Sequence, residues 1–389
     1  TMPEFFEKRY DSKAMKVFSA VVIFVFLVPY TASVYQGLGY LFEQTFHVDF
    51  VYCMAAMAIL TGIYLLLGGY VATAINDFIQ GIIMIVGVIL MLVFIIKSPE
   101  VGGFGEGISR LGDIKPDLAT VFGGSPMKLL SLVVLTSFGT WGLPQMVHKF
   151  YAIKDENAIK KATIVSTLFA LLIGGTAYFT GSFGRLFLGN TLPVGDNGLA
   201  NPDMVMPMVL DKALPDALLG IIIILVLSAS MSTLASLVLV ASSVISLDLV
   251  KGTLFPKADN RKIMLLMRVL CAVFVIVSFV VAVTPSAILS LMSFSWGTIA
   301  GAFLAPFLYG LYWKGTTKIG AWSGMIAGLI CSIGGAIIFK MNADLSATIG
   351  AVSMAVSLLV VPVVSFVTEK YKKSHIEKVF GVAQVGVES

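Results

Sequence analysis

Charge is what this sequence has least of. Asp, Glu, Lys and Arg make up 12% of its 389 residues, where a soluble chain carries roughly a quarter. So few charges cannot cover a chain of this length in water, which excludes an ordinary soluble protein. Cysteine is also sparse. Cys53, Cys271 and Cys331 lie far apart in apolar stretches, as small buried or lipid-facing side chains do, and they outline no disulfide framework. The three histidines join no cysteine or carboxylate in a metal-ligand pattern. A basic face is missing as well: the net charge is +4 and the Lys and Arg residues sit in short loops, so no nucleic-acid partner is expected. Residues 1–13 are polar and charged and lack the apolar core of a cleavable signal peptide.

What fills the chain is apolar. Hydrophobic residues reach 58% against roughly 45–50% in globular domains, in blocks long enough to cross about 30 Å of hydrocarbon as helices. The pattern predicts an all-α polytopic membrane protein with ten spans, near 14–38, 50–68, 73–97, 127–147, 160–187, 217–247, 262–283, 287–312, 319–340 and 345–367. With the N-terminus placed in the cytoplasm, nineteen of the 26 Lys and Arg residues fall inside and seven outside, as the positive-inside rule requires. Both ends are therefore expected in the cytoplasm, with 368–389 as a short tail and 1–389 as a single transmembrane domain. The segments 98–126 and 188–216 are expected outside, as vestibule caps or plain connectors; the second holds a short helical pattern near Asp203–Lys212.

Polar groups in hydrocarbon need a partner or a function. Ionisable residues are nearly absent at mid-depth, which leaves hydroxyls, backbone carbonyls and broken helices as binding groups. The sixth span gathers Ser228, Ser230, Ser232, Thr233, Ser236, Ser242 and Ser243. Helical periodicity puts Ala229, Ser232, Thr233 and Ser236 on one face. Two readings stand side by side: an oxygen-lined sodium site, or close helix packing through small residues. The fourth span carries TSFGTWGLPQM, with Gly139, Gly142 and Pro144 near its middle. That is either a proline kink or a discontinuous helix of the kind that forms substrate sites in secondary transporters. The eighth span has a second such cluster, Ser293-Phe294-Ser295-Trp296-Gly297. Asp77 and Gln80 open the third span, where the carboxylate either caps the helix or draws cations to an inner cavity. Arg268 is expected to snorkel to the inner interface.

Taken in order, these segments resemble the sodium:solute symporter family, especially its bacterial proline and pantothenate branches. TMPEFFEKRY resembles the loop before the family's third core helix, and GGYVATAINDFIQG its Gly-Gly…Asp-x-x-Gln stretch. WGLPQMVHKFYAIKD is similar to its broken-helix segment, MSTLASLVLVASSVISLDL to its most specific signature, and SWGTIAGAFLAPFLYGLYWKGTTKIGAWSGMIAG to its tenth core helix and beyond. The resemblance implies a leucine-transporter-type inverted-repeat fold. It implies sodium held by Ser232 and Thr233 hydroxyls and the Ala229 carbonyl, Asp77 on the inner sodium path, and solute contacts at Thr136, Thr140 and Ser293. It implies sodium-coupled import of an amino acid or small carboxylic acid by alternating access, in the cell membrane, with no organic cofactor. The three helices before the family's third core helix, the first of them peripheral, have no counterpart in this sequence. The expectation is a fragment or a truncation that keeps one wall of the sodium site. A transport-derived sensor and an inactive remnant are the competing readings. A membrane-embedded enzyme is not expected, because no paired carboxylates or activated nucleophile lies in the spans.

Overall fold

The computed structural model describes residues 1–150, 153–195, 198, 200–284 and 286–381, with side chains described outside 64–76. Fourteen α-helices run in chain order among them: α1 Met2–Tyr10, α2 Lys13–Phe46, α3 Phe50–Lys97, α4 Phe104–Ile114, α5 Pro126–Ser137, α6 Pro144–Phe150 and α7 Glu156–Phe187. Then follow α8 Val205–Ala213, α9 Asp216–Ser243, α10 Asn260–Val283, α11 Ile288–Tyr312, α12 Lys318–Ile338, α13 Ala343–Val367 and α14 Lys373–Phe380. Helix starts follow local chemistry. Ser12, Asp155 and Thr317 each accept a first-turn backbone N–H, at Met15, Ala158 and Gly320, and so open α2, α7 and α12. Eight helices are long and apolar enough to cross a membrane, and α5 with its continuation and α6 forms a ninth, bent span.

The second expected span differs. The chain does not break between 68 and 73, because α3 runs unbroken over Phe50–Lys97. Gly68 and Gly69 lower helix propensity but bring no turn chemistry and no proline, so they do not stop a helix. The apolar stretch Phe50–Ile63 represents that span among the described side chains. Continuity also removes one reading of Asp77. It lies deep inside α3, where no first-turn N–H is left for it to cap.

Depth in the bundle is uneven. In the most apolar stretch of α11, 72% of residues are buried, against 6% in α7. So α11 is the central helix and α7 faces outward. Lipid gives no hydrophobic drive for helix association, so close backbone approach must supply it. Gly301 of α11 faces Gly328 of α12, and Gly297 faces Gly350 of α13. The exposed backbone oxygens are then bonded across helices: Ser353 donates to Gly328 O at 2.6 Å and Ser357 to Gly324 O at 3.1 Å. The Thr298 and Ser332 hydroxyls pair at 2.7 Å.

The first and last described helices, α1 and α14, meet on one face, here called the terminal face. Arg9 is 1% exposed. It donates to Gly310 O at 2.8 Å and Trp313 O at 3.2 Å, carbonyls at the C-terminal end of α11, where a cation is favoured. The rings of Tyr10, Tyr371 and Phe380 lie within 5.1–5.9 Å of its guanidinium, and the Tyr371 hydroxyl donates to Tyr10 O at 2.7 Å. Burial pulls the Arg9 guanidinium below its ordinary value and pushes the Tyr371 phenol above its own.

The glycine contacts set a prediction. A Cβ at position 328 overlaps the Gly301 carbonyl, so Gly328→Ala is expected to lower stability by about 1–3 kcal/mol. Thermal unfolding of the variant beside Gly334→Ala, a position open to space, measures it.

Candidate functional site

The hydroxyl cluster lies on α9, which packs against α2, α3 and α10 and touches α6. Ala229, Ser232 and Thr233 are all half-buried. The Thr233 hydroxyl donates to Ala229 O at 3.0 Å. Two of the three expected sodium oxygens are therefore adjacent, close enough to share one ion's shell. The hydroxyl proton points at the carbonyl, so the Thr233 oxygen keeps its lone pairs free.

The expected break in the fourth span is present. Residues Pro126–Gly142 and Pro144–Phe150 meet at 53°. The turn is built by a 3₁₀ segment, Gly139–Gly142, and by Leu143 in an extended conformation, as the proline that follows requires. Gly142 is needed for contact rather than for flexibility. A Cβ there would stand 2.9 Å from the Cα of Ala300 on α11. Thr136 and Thr140 flank the bend, half-buried, and their hydroxyls turn back to Leu132 O at 2.8 Å and Ser137 O at 2.9 Å. Ser293 lies on α11, 1% exposed, and its Oγ has no partner among the described residues. The bend and α11 are thus in contact, while no bond joins Thr136 or Thr140 to Ser293 among those described.

Asp77 is half-buried and Gln80 is 6% exposed. Asp77 Oδ1 and Gln80 Oε1 are both buried without a partner among the described residues. One helical turn apart on α3, they face the same side.

Near these elements, sequence reasoning gave no role to Gln145 or Tyr30 and noted Ser295 and Trp296 only as part of a polar cluster on the eighth span. Gln145, just past the bend, is 5% exposed with both amide atoms unpartnered among the described residues. Tyr30 of α2 stands edge-on to Trp296 of α11, centroids 5.5 Å apart, and Ser295 donates to Phe26 O. Pro29 inside α2 was the available signal for this junction.

The opposite face holds α11 by its start. Ala287 offers no side-chain cap, and Asp203, from the segment before α8, accepts the Ile288 N–H at 2.9 Å. Gln36 of α2 donates to Ala282 O at 3.0 Å at the end of α10.

Apolar spans, a bent span pressed on a central helix, and a half-buried hydroxyl face define a multi-pass membrane transporter. The model of the sodium:solute symporter family matches residues 1–328, and the chain belongs to that family. It is a family of transporters, not enzymes, that couples sodium to solute movement, and the chain is a multi-pass plasma-membrane protein. The chain is 30% identical over 387 residues to a sodium/proline symporter of Staphylococcus aureus, spanning 96% of this chain and 73% of that one. It is 29% identical over 334 residues to the osmoregulated proline transporter OpuE of Bacillus subtilis (strain 168), 84% of this chain and 66% of that one. A solved Na+-coupled sialic acid symporter, in a substrate-bound outward-open state, superposes with a TM-score of 0.70 at 17% identity, over 96% of this chain and 78% of that one. The fold is accordingly of the leucine-transporter type.

The Asp203 cap yields a pH prediction. Burial raises its carboxyl above the ordinary value, and the Ile288 N–H opposes that in part. Its contribution to stability is therefore full below the unfolded-state value and is lost as pH rises through the folded one. Asp203→Asn keeps an acceptor and removes the titration. Relative to wild type, the variant is expected to gain melting temperature as pH goes from 4 to 7.

Proposed function

We propose that this chain serves sodium-driven import of a small organic solute, an amino acid or a carboxylic acid, by alternating access. Sodium is held by the Ala229 carbonyl and the Ser232 and Thr233 hydroxyls, and Asp77 lies on its way to the inside. Thr136, Thr140 and Ser293 contact the solute. Both ends of the chain sit in the cytoplasm, in keeping with the Lys and Arg bias.

The observation that carries this reading is the Thr233–Ala229 bond, which supports a half-buried pair of sodium oxygens on the helix that bears the hydroxyl cluster. Ser293 adds a buried hydroxyl without a described partner on the helix that meets the bend. The proline transporters among the relatives support an amino-acid solute. The driving force suffices. One charge crossing 100 mV releases about 2.3 kcal/mol, and a tenfold sodium gradient adds about 1.4 kcal/mol. Together they sustain roughly 500-fold accumulation in a one-to-one cycle.

The test is sodium-dependent uptake of radiolabelled proline into proteoliposomes. Ser232→Ala with Thr233→Ala is expected to raise the half-saturating sodium concentration at least about tenfold, the loss of two ligand oxygens being worth roughly 1–3 kcal/mol. Unchanged sodium dependence removes both residues from the site. Failure of proline, with uptake of another amino acid or carboxylate, changes the solute and not the coupling.

A further inference from the structure

The end of α9 toward the terminal face does not stop as an α-helix. It continues as a π-helix over Val244–Leu254, a form usually limited to single turns and common at functional sites. Asp248 lies in its middle, 5% exposed. Its Oδ1 accepts the Thr1 hydroxyl at 2.8 Å. Its Oδ2 is buried and has no partner among the described residues. A carboxylate oxygen withdrawn from water without a partner is costly, so this vacancy calls for an occupant.

The side-chain cation whose charge acts on Asp248 is one already in use. Lys16 is 6% exposed, and its ammonium pairs with Glu7 of α1 at 2.7 Å. It sits in the first turn of α2, where the helix dipole disfavours a positive charge and carboxylates must compensate. The same ammonium lies against the π-helix: a Cβ on Gly252 would stand 2.8 Å from Nζ. No ion pair joins Lys16 to Asp248 among the described residues, but their charges act on each other. Glu4, the other acid that acts on Asp248, is held by Lys8 at 2.8 Å. Two carboxylates on different elements therefore face one buried ammonium, and only Glu7 holds it.

We propose that Lys16 is shared between Glu7 and Asp248, and that Asp248 is a positioning residue for the inner end of α9. With the ammonium on Glu7, α1 is held to α2. With the ammonium on Asp248 Oδ2, α2 is held to the π-helix and the ion pair between α1 and α2 is open, while Arg9 still ties α1 to α11. The lysine keeps a carboxylate partner in either arrangement. Two alternative closures at one end of the hydroxyl-bearing helix suit alternating access; that link rests on the transport reading, whereas the sharing itself does not.

The experiment measures melting temperatures of the purified full chain in detergent, without added solute. Glu7→Gln and Asp248→Asn each leave Lys16 one carboxylate and lower the melting temperature by a few degrees. Combined, they strand the ammonium, and the loss exceeds the sum of the two by about 5 °C or more. Lys16→Met added to the double variant recovers most of that excess, and Asp248→Glu in the Glu7→Gln background behaves as Glu7→Gln alone. Additive losses, or no recovery with Lys16→Met, overturn the proposal. If the double variant does not fold, the folded yield of the triple variant decides in the same way: recovery supports sharing and its absence overturns it. None of these readouts involves sodium or solute, so failure of the transport reading would be seen separately.

Discussion

A helix in hydrocarbon must satisfy its own backbone, and wherever it stops being a helix another part of the protein has to close around the gap. This constraint organises the bundle. The span that breaks at Gly139–Leu143 is pressed onto α11 so closely that Gly142 has no room for a Cβ. A helix can take that load only if it is itself held, and α11 is. Its glycines meet those of α12 and α13, and serine hydroxyls from α13 take the oxygens that the approach leaves exposed on α12. The bend is therefore stable because the central helix that it presses on is the most buried one among the described spans.

The two faces of the bundle hold α11 by different means. On the terminal face, Arg9 caps its last carbonyls from inside a cage of rings, so the cation that suits a helix C-terminus comes from a residue some 300 positions away. On the opposite face, Asp203 caps its first N–H from a connecting segment. Each contact complements the end of the helix dipole it meets. Lys16 stands at the wrong end of a helix for its charge, and the Glu7 carboxylate compensates it.

Much of the candidate site was legible in the chain. Gly139, Gly142 and Pro144 announced a break because glycine and proline act locally, and the structure bends there. The short helix near Asp203–Lys212 was legible for the same reason, as an amphipathic pattern between apolar blocks. The hydroxyl cluster was visible as composition, but its two readings, packing or ligation, could not be separated without knowing where each hydroxyl points. The expected turn between the second and third spans failed. Two glycines weaken a helix without ending it, which removes the capping alternative for Asp77 and leaves it a buried carboxylate oxygen with no partner among the described residues.

By itself the sequence determined the solvent, the helical class and the family. Those follow from average hydropathy and from local motifs, which need no partner to be read. Only the tertiary structure decided which polar groups are satisfied. Arg9 with the carbonyls of α11, Lys16 with Glu7 beside Asp248, and Ser293 with no described partner are all pairings, or missing pairings, between residues far apart in the chain. A hydrogen bond or an ion pair depends on distance in space, and only packing of the helices sets that distance.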